Sequence, residues 1–347
     1  MPYRFKIDEP VAKGFHRIAR EQLDAALQEL AASEVQPKAV HECRKSLKRL
    51  RALVRLVAPA LGKKVARRRI KALGAIARLL ADRRDQAVIM ETAATLSSET
   101  GTDGSLTLAP LKTHFAKSVG DAPHPLDPVC ALEARQLLAL ELKKFDGARL
   151  RKRGFAAFDG GLEKSYRRAR RALREAYSEP SNETFHALRK SVQWHWRQMS
   201  LLARAWPEEA AVRVNAAREL SQMLGDDHDL AMLIDATAKA DDISPEHKDA
   251  IIGLCIRKQQ TLRAAVEHPA EQLFAESTTA FVKRMRVYWK HGRKAPNVEA
   301  RPIARQEALQ FQTALTESSV IEAIKRVTAK PRLAAKAATA KSSQSRT

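Results

Sequence analysis

A histidine followed at fixed spacing by arginine and lysine occurs twice in this chain. HECRKSLKRLR, residues 41–51, places His41 ahead of Arg44, Lys45, Lys48 and Arg51, and Arg55 continues the row. HALRKSVQWHWR, residues 186–197, places His186 ahead of Arg189, Lys190 and Arg197, with Arg204 beyond. Guanidinium groups grip phosphate oxygens two at a time, and ammonium groups add compact positive charge. The chemistry within reach is therefore capture of phosphates rather than bond-making. His41 and His186 fit two roles equally, bracing a neighbouring helix or touching the ligand. One other cluster could do chemistry: Asp226, Asp227, His228 and Asp229, within LGDDHDL. Cations around the histidine motifs disfavour a bound metal, so these acids are expected to cap helices or anchor basic side chains. A P-loop, a metal-spaced histidine pair and a nucleophile elbow are all missing, and no enzymatic activity, cofactor or metal is expected.

These residues need helices to align them. At about 100° per residue, Cys43, Leu47, Leu50, Val54, Val57 and Leu61 form one apolar seam. His41, Arg44, Lys45, Lys48, Arg51 and Arg55 form a separate stripe roughly 120° wide. The second copy repeats this, with Phe185, Leu188, Val192, Met199 and Leu202 as its seam. Thirteen Lys and Arg residues and no acid lie between Cys43 and Ala81, and no acid lies between Glu183 and Glu208. An ordinary solvated face mixes signs, because like-charged neighbours repel by a few tenths of a kcal/mol. A single basic helix would still read as a solvated face; its duplication argues for a ligand. The formal net charge of +22 extends the point to the whole chain and implies a polyanion: nucleic acid, an anionic membrane or polyphosphate.

The repeat extends past the basic rows. LLADRRDQAVI (79–89) aligns with MLGDDHDLAML (223–233), pairing Asp82 and Asp85 with Asp226 and Asp229, at nearly the same offset of about 145 residues. Two related halves are expected, about 5–145 and 150–294. Helical periodicity runs over 10–32, Pro59 and Gly62 end the second helix, and a third runs from Arg67 to Leu80. Residues 100–128, rich in Gly, Pro and Asp, read as a long loop with one short helix, and new helices start near 129 and 155. Residues 295–327 suggest a helical extension. The basic stretch 328–347 has little apolar bulk and is expected to be a disordered tail.

The ordered set of HxxRK, LLADRRD, HxxRK and LGDDHDL resembles the CHAD family, the conserved histidine α-helical domains, over about residues 5–294. The resemblance implies an all-α fold of two pseudo-symmetric four-helix-bundle halves. It also implies binding of inorganic polyphosphate along a basic cleft or channel, and association with polyphosphate granules. Carried over by position, it assigns ligand contact to His41, Arg44, Lys45, Lys48 and Arg51, and to His186, Arg189 and Lys190. Lys71 and Arg78 fall where the family places further cations. The second motif departs from the pattern, with Gln193 in place of a usual lysine and Arg197 in place of a frequent aromatic. Its stripe is then weaker, or rebuilt around Arg197 and Arg204.

The competing reading is nonspecific binding of DNA or RNA by the basic helices and tail, also driven by counterion release. A recognition helix is missing, and of the aromatics that could stack bases near the cations, Trp194 and Trp196, the second is expected to pack between helices. No basic helix carries exposed aromatic wedges for a membrane surface. Cys43, Cys130 and Cys255 show no paired spacing, which with the absence of an apolar leader leads us to expect a cytoplasmic protein. Nothing in the sequence fixes the oligomeric state.

Overall fold

The computed structural model describes residues 3–80, 84–118 and 125–293. Among them are ten α-helices and no strand, so the fold is all-α. The first five are α1 (Val11–Glu29), α2 (Pro37–Leu61), α3 (Lys63–Leu79), α4 (Arg84–Ser118) and α5 (Pro128–Asp146). The second five are α6 (Asp159–Ser178), α7 (Asn182–Leu202), α8 (Pro207–Lys239), α9 (Pro245–Leu273) and α10 (Thr278–Gly292). An offset of 145 carries α1, α2 and α5 onto 156–174, 182–206 and 273–291, which overlie α6, α7 and α10. The expected extension over 295–327, the tail over 328–347 and Asp82 lie outside the described residues, as does the Asp85 side chain.

The expected loop over 100–128 is largely helix. Gly101 breaks the backbone with φ 69°, but α4 resumes and runs to Ser118. Leu108 and Leu111 bury fully in a small apolar cluster with Leu230 and Leu233 of α8 and Ile251 and Cys255 of α9. That burial outweighs the Gly, Asp and Pro110 punctuation that suggested a loop. A second correction concerns LGDDHDL, expected at a helix end. Residues 224–230 lie inside α8, which runs on where its counterpart α3 stops.

Both predicted seams are buried throughout. The two copies meet where α6 crosses α2. A Cβ on Gly161 would stand 1.8 Å from the Leu56 carbonyl oxygen and 2.8 Å from that of Arg55, so only glycine allows the two backbones to touch. The N-terminal segment then straps the halves together. Phe5 donates its N–H to the Leu201 carbonyl at 2.9 Å and packs its ring, tilted, against Phe158 with centres 4.8 Å apart, while the Tyr3 hydroxyl donates to the Arg49 carbonyl at 2.6 Å. In the second half, Arg213 and Arg284 each pair with both Glu209 and Glu276, which binds α8 to α10. Beneath them His195, 1% exposed, sits among the rings of Tyr166, Phe274 and Phe281, its Nε2 buried without a partner. Burial first, and then the Arg213 and Arg284 charges, hold its pKa down at about 3.

Two expected outcomes test this packing. Gly161→Ala forces the α2–α6 crossing apart and should destabilise the fold by about 1–3 kcal/mol or more in urea unfolding. His195 is neutral in the fold but takes up a proton below about pH 6.5 once unfolded. Stability should therefore be complete above that pH and fall as the solution is acidified towards pH 3, by up to ~1.4 kcal/mol per unit of pH. His195→Phe should flatten that decline without loss at pH 7.

Candidate anion-binding site

Ser181 starts the second basic row. Its hydroxyl accepts the Thr184 N–H at 3.2 Å while the Thr184 side chain accepts the Ser181 N–H at 3.0 Å, a reciprocal cap that fixes the first turn of α7. With Phe185, Leu188 and Val192 buried, the remaining face of α7 turns His186, Arg189, Lys190 and Arg197 outwards. On α2 the same logic, with Leu47, Leu50 and Val54 buried, presents Lys48, Arg51 and Arg55.

These two rows meet. Arg51 of α2 is near enough to Lys190 and Arg197 of α7 to depress both, although burial acts more strongly on each. The Arg51 pKa is itself lowered, by burial and then by Arg78 of α3, and its Nε is buried without a hydrogen-bond partner. Arg55 is pushed down to about 9 by burial, then by Arg51 and Arg168, and still carries its charge at neutral pH. Its Nη1 donates to the Arg51 carbonyl at 3.1 Å, and its guanidinium lies 4.1 Å from the centre of the Trp194 ring. Arg197 is pushed down to about 10 by burial, against an opposing effect of Tyr3 and with Arg49, Arg189 and Arg51 adding to the fall, and lies over Trp196. Among the described residues, the charges that shift Arg51, Arg55 and Lys190 are all positive.

Not every predicted cation joins this cluster. Arg44 donates from Nη1 to the Ala77 and Leu80 carbonyls, both at 3.2 Å, and so closes the C-terminal end of α3. Lys45 pairs with Glu42 at 3.1 Å, an acid one turn before it on α2. His41 is exposed at the start of α2, and Lys71 is exposed on α3, two turns before Arg78 on the same face. Arg204 lies at the far end, in a short 3-10 turn (Ala203–Ala205), where its charge lowers the pKa of Arg4 after burial has done so. The Arg189 guanidinium passes 3.9 Å from the place a Gly225 Cβ would occupy on α8.

His186 stacks on His228 of α8, with ring centres 4.2 Å apart. Burial is the main cause that holds both near pKa 4, and Arg189 and Lys190 add to it, so both imidazoles are neutral at pH 7. Asp227 of this motif anchors a cation: it holds Arg263 of α9 at 2.6 Å. Arg263 also donates to Asn182 at 2.7 Å, which ties α8 and α9 to the start of α7. Asp226 accepts from Gln222 at 3.1 Å. No group of three His, Cys, Asp or Glu able to hold a metal occurs among the described residues.

Four residues of this region escaped the sequence reading. Tyr3 and Arg4 reach it through the N-terminal strap, which no periodicity signals, and Arg49 lies on α2 beside the basic row, its carbonyl accepting from Tyr3. Arg168 of α6 lies over Trp194 at 4.8 Å. Its sequence signal was the Gly160-Gly161 pair, a mark of close helix approach two turns before it.

Residues 17–238, more than half of the chain, match the CHAD domain family. PptA from Streptomyces chartreusis has a similar fold, with a TM-score of 0.52 at 14% identity over 77% of this chain and 100% of that one. No curated protein matches the chain. No described helix is long and apolar enough to cross a membrane.

The cluster makes an unusual stability prediction. Arg51 sits among cations with a buried, unpartnered Nε, so Arg51→Met should stabilise the unliganded fold, by about 1 kcal/mol in urea unfolding. A loss of stability would mean that an uncharted partner neutralises Arg51.

Proposed function

The chain belongs to the CHAD domain family, a family related to polyphosphate binding, and from that premise we propose that it binds inorganic polyphosphate along the α2–α7 seam. The observation that carries this reading is the approach of Arg51, from one repeat, to Lys190 and Arg197, from the other, where the charges that shift Arg51 and Lys190 are all positive among the described residues. Such an arrangement costs stability until an anion arrives. A flexible phosphate chain supplies one negative charge per unit and can follow both rows. Individual contacts are weak, so affinity grows with polymer length.

On this reading Arg51, Arg55, Lys190 and Arg197 make the central phosphate contacts, Arg78 and Arg189 flank them, and Lys48, Lys71 and Arg204 extend the path. Arg44 and Lys45 contribute mainly by shaping α2 and α3. The neutral His186 can donate a single hydrogen bond to a phosphate oxygen without adding charge. The proposed role is binding and not catalysis, with polyphosphate granules in the cytoplasm as its setting. DNA and RNA are the competing ligands: the tail favours them, while Trp194, the aromatic nearest the cations, already carries two guanidiniums rather than an open face for a base.

Titration of long-chain polyphosphate against duplex and single-stranded DNA, at equal phosphate and fixed salt, tests this directly. Polyphosphate should bind most tightly, and more weakly as salt rises. Changing Arg51, Arg55 and Lys190 together to Gln should cost roughly a hundredfold in affinity. It should also reduce the slope of log K against log salt by about 2, at ~0.7 per lost phosphate contact on a single-stranded polyanion. Equal binding by parent and triple variant would overturn the site, and preference for DNA would overturn the ligand.

A further inference from the structure

The seam contains one group whose chemistry differs from that of its neighbours. Trp194 projects from α7, half-buried, and holds the guanidiniums of Arg55 from α2 and Arg168 from α6, at 4.1 and 4.8 Å from its ring centre. Arg168 also stands close enough to lower the pKa of Lys190 and of Arg55, after burial has done so. Three helices, drawn from both repeats, thus converge on one indole.

Repulsion should drive these cations apart and out into water. Carboxylates restrain Arg213 and Arg284 elsewhere in the molecule, but a carboxylate in the seam would compete with the incoming phosphate for the same N–H groups. The indole offers another kind of restraint. Its negative π face attracts a guanidinium without occupying the donors at that group's edge, which remain able to bond to oxygen.

We infer that Trp194 is a positioning residue for polyanion capture, and that Arg168 is an additional phosphate-contacting residue held in place by it. The ring fixes two cations from separate helices beside Lys190 before the ligand arrives, which lowers the ordering cost of binding. The gain should be greatest for a bare phosphate chain, whose oxygens meet the guanidinium edges, and absent for any ligand that needs the ring face itself. This inference rests on the polyphosphate reading and adds to it a residue and a mechanism.

A double-variant cycle measured by polyphosphate titration tests it. Trp194→Leu keeps apolar bulk at the position while removing the π face, and far-ultraviolet circular dichroism with thermal unfolding verifies the fold. Trp194→Leu should weaken polyphosphate binding about tenfold, from two cation–π contacts of ~0.5–1 kcal/mol each. Trp194→Phe should recover most of the loss. With Arg55 and Arg168 both changed to Gln, the same tryptophan substitution should have almost no further effect. Arg168→Gln alone should weaken polyphosphate binding and lower the salt slope. The inference is overturned if Trp194→Leu binds like the parent or if its loss is unchanged in the Arg55/Arg168 background. Failure of the parent itself to bind polyphosphate would instead overturn the underlying functional reading.

Discussion

Two backbones touch at Gly161, and the geometry of the basic seam follows from that contact. With the Leu56 carbonyl lying where a Cβ would be, α6 can approach α2 no other way. Residues seven apart share a helix face, so the glycine that meets Leu56 also sets Arg168 on the side of α6 that looks along α2 towards Arg55. The neighbouring α7, packed on α6, brings Trp194 and Lys190 to the same place. Repulsion among the cations gathered there is resisted by the buried seams on the opposite faces of α2 and α7, where fully buried leucines and valines each contribute about 1.5–3 kcal/mol.

Stability and the proposed ligand capture therefore pull in opposite directions within one element. Elsewhere the chain pairs its charges: Arg17 with Glu9, Arg69 with Glu141, Arg263 with Asp227. These arginines lie at helix junctions, where a paired charge orients a neighbour. Arg51 and Arg55, shifted by positive charges alone among the described residues, lie where two helices from separate repeats run together. The division between paired and unpaired arginines separates groups that hold the scaffold from groups available to a ligand more sharply than their position along the helices does.

Much of this was legible in the sequence because it depends on period. The seams of α2 and α7 and the opposed basic stripes follow from 3.6-residue spacing, and the offset of 145 relates the helices that carry them. What was not legible depends on tertiary contact. Leu108 and Leu111 turn a Gly- and Pro-punctuated stretch into helix because α8 and α9 cover them. Arg44 and Arg189 occupy equivalent places in the motif, yet Arg44 closes the end of α3 while Arg189 passes beside Gly225 of an uninterrupted α8, a divergence that follows from α3 ending where α8 continues. Asp227 and Asp226 are adjacent acids, and only the packing of α9 distinguishes the anchor from its neighbour. Tyr3 enters through a strap with no pattern at all.

The strap and the crossing also bear on synthesis. Leu56 emerges from the ribosome more than a hundred residues before Gly161, and Phe5 waits still longer for Leu201. A nascent first repeat therefore exposes one flank of α2, backbone carbonyls and arginines together, until translation delivers α6 and α7. For that interval the polypeptide carries only one of the two basic rows, and the second repeat supplies the other together with the indole of Trp194.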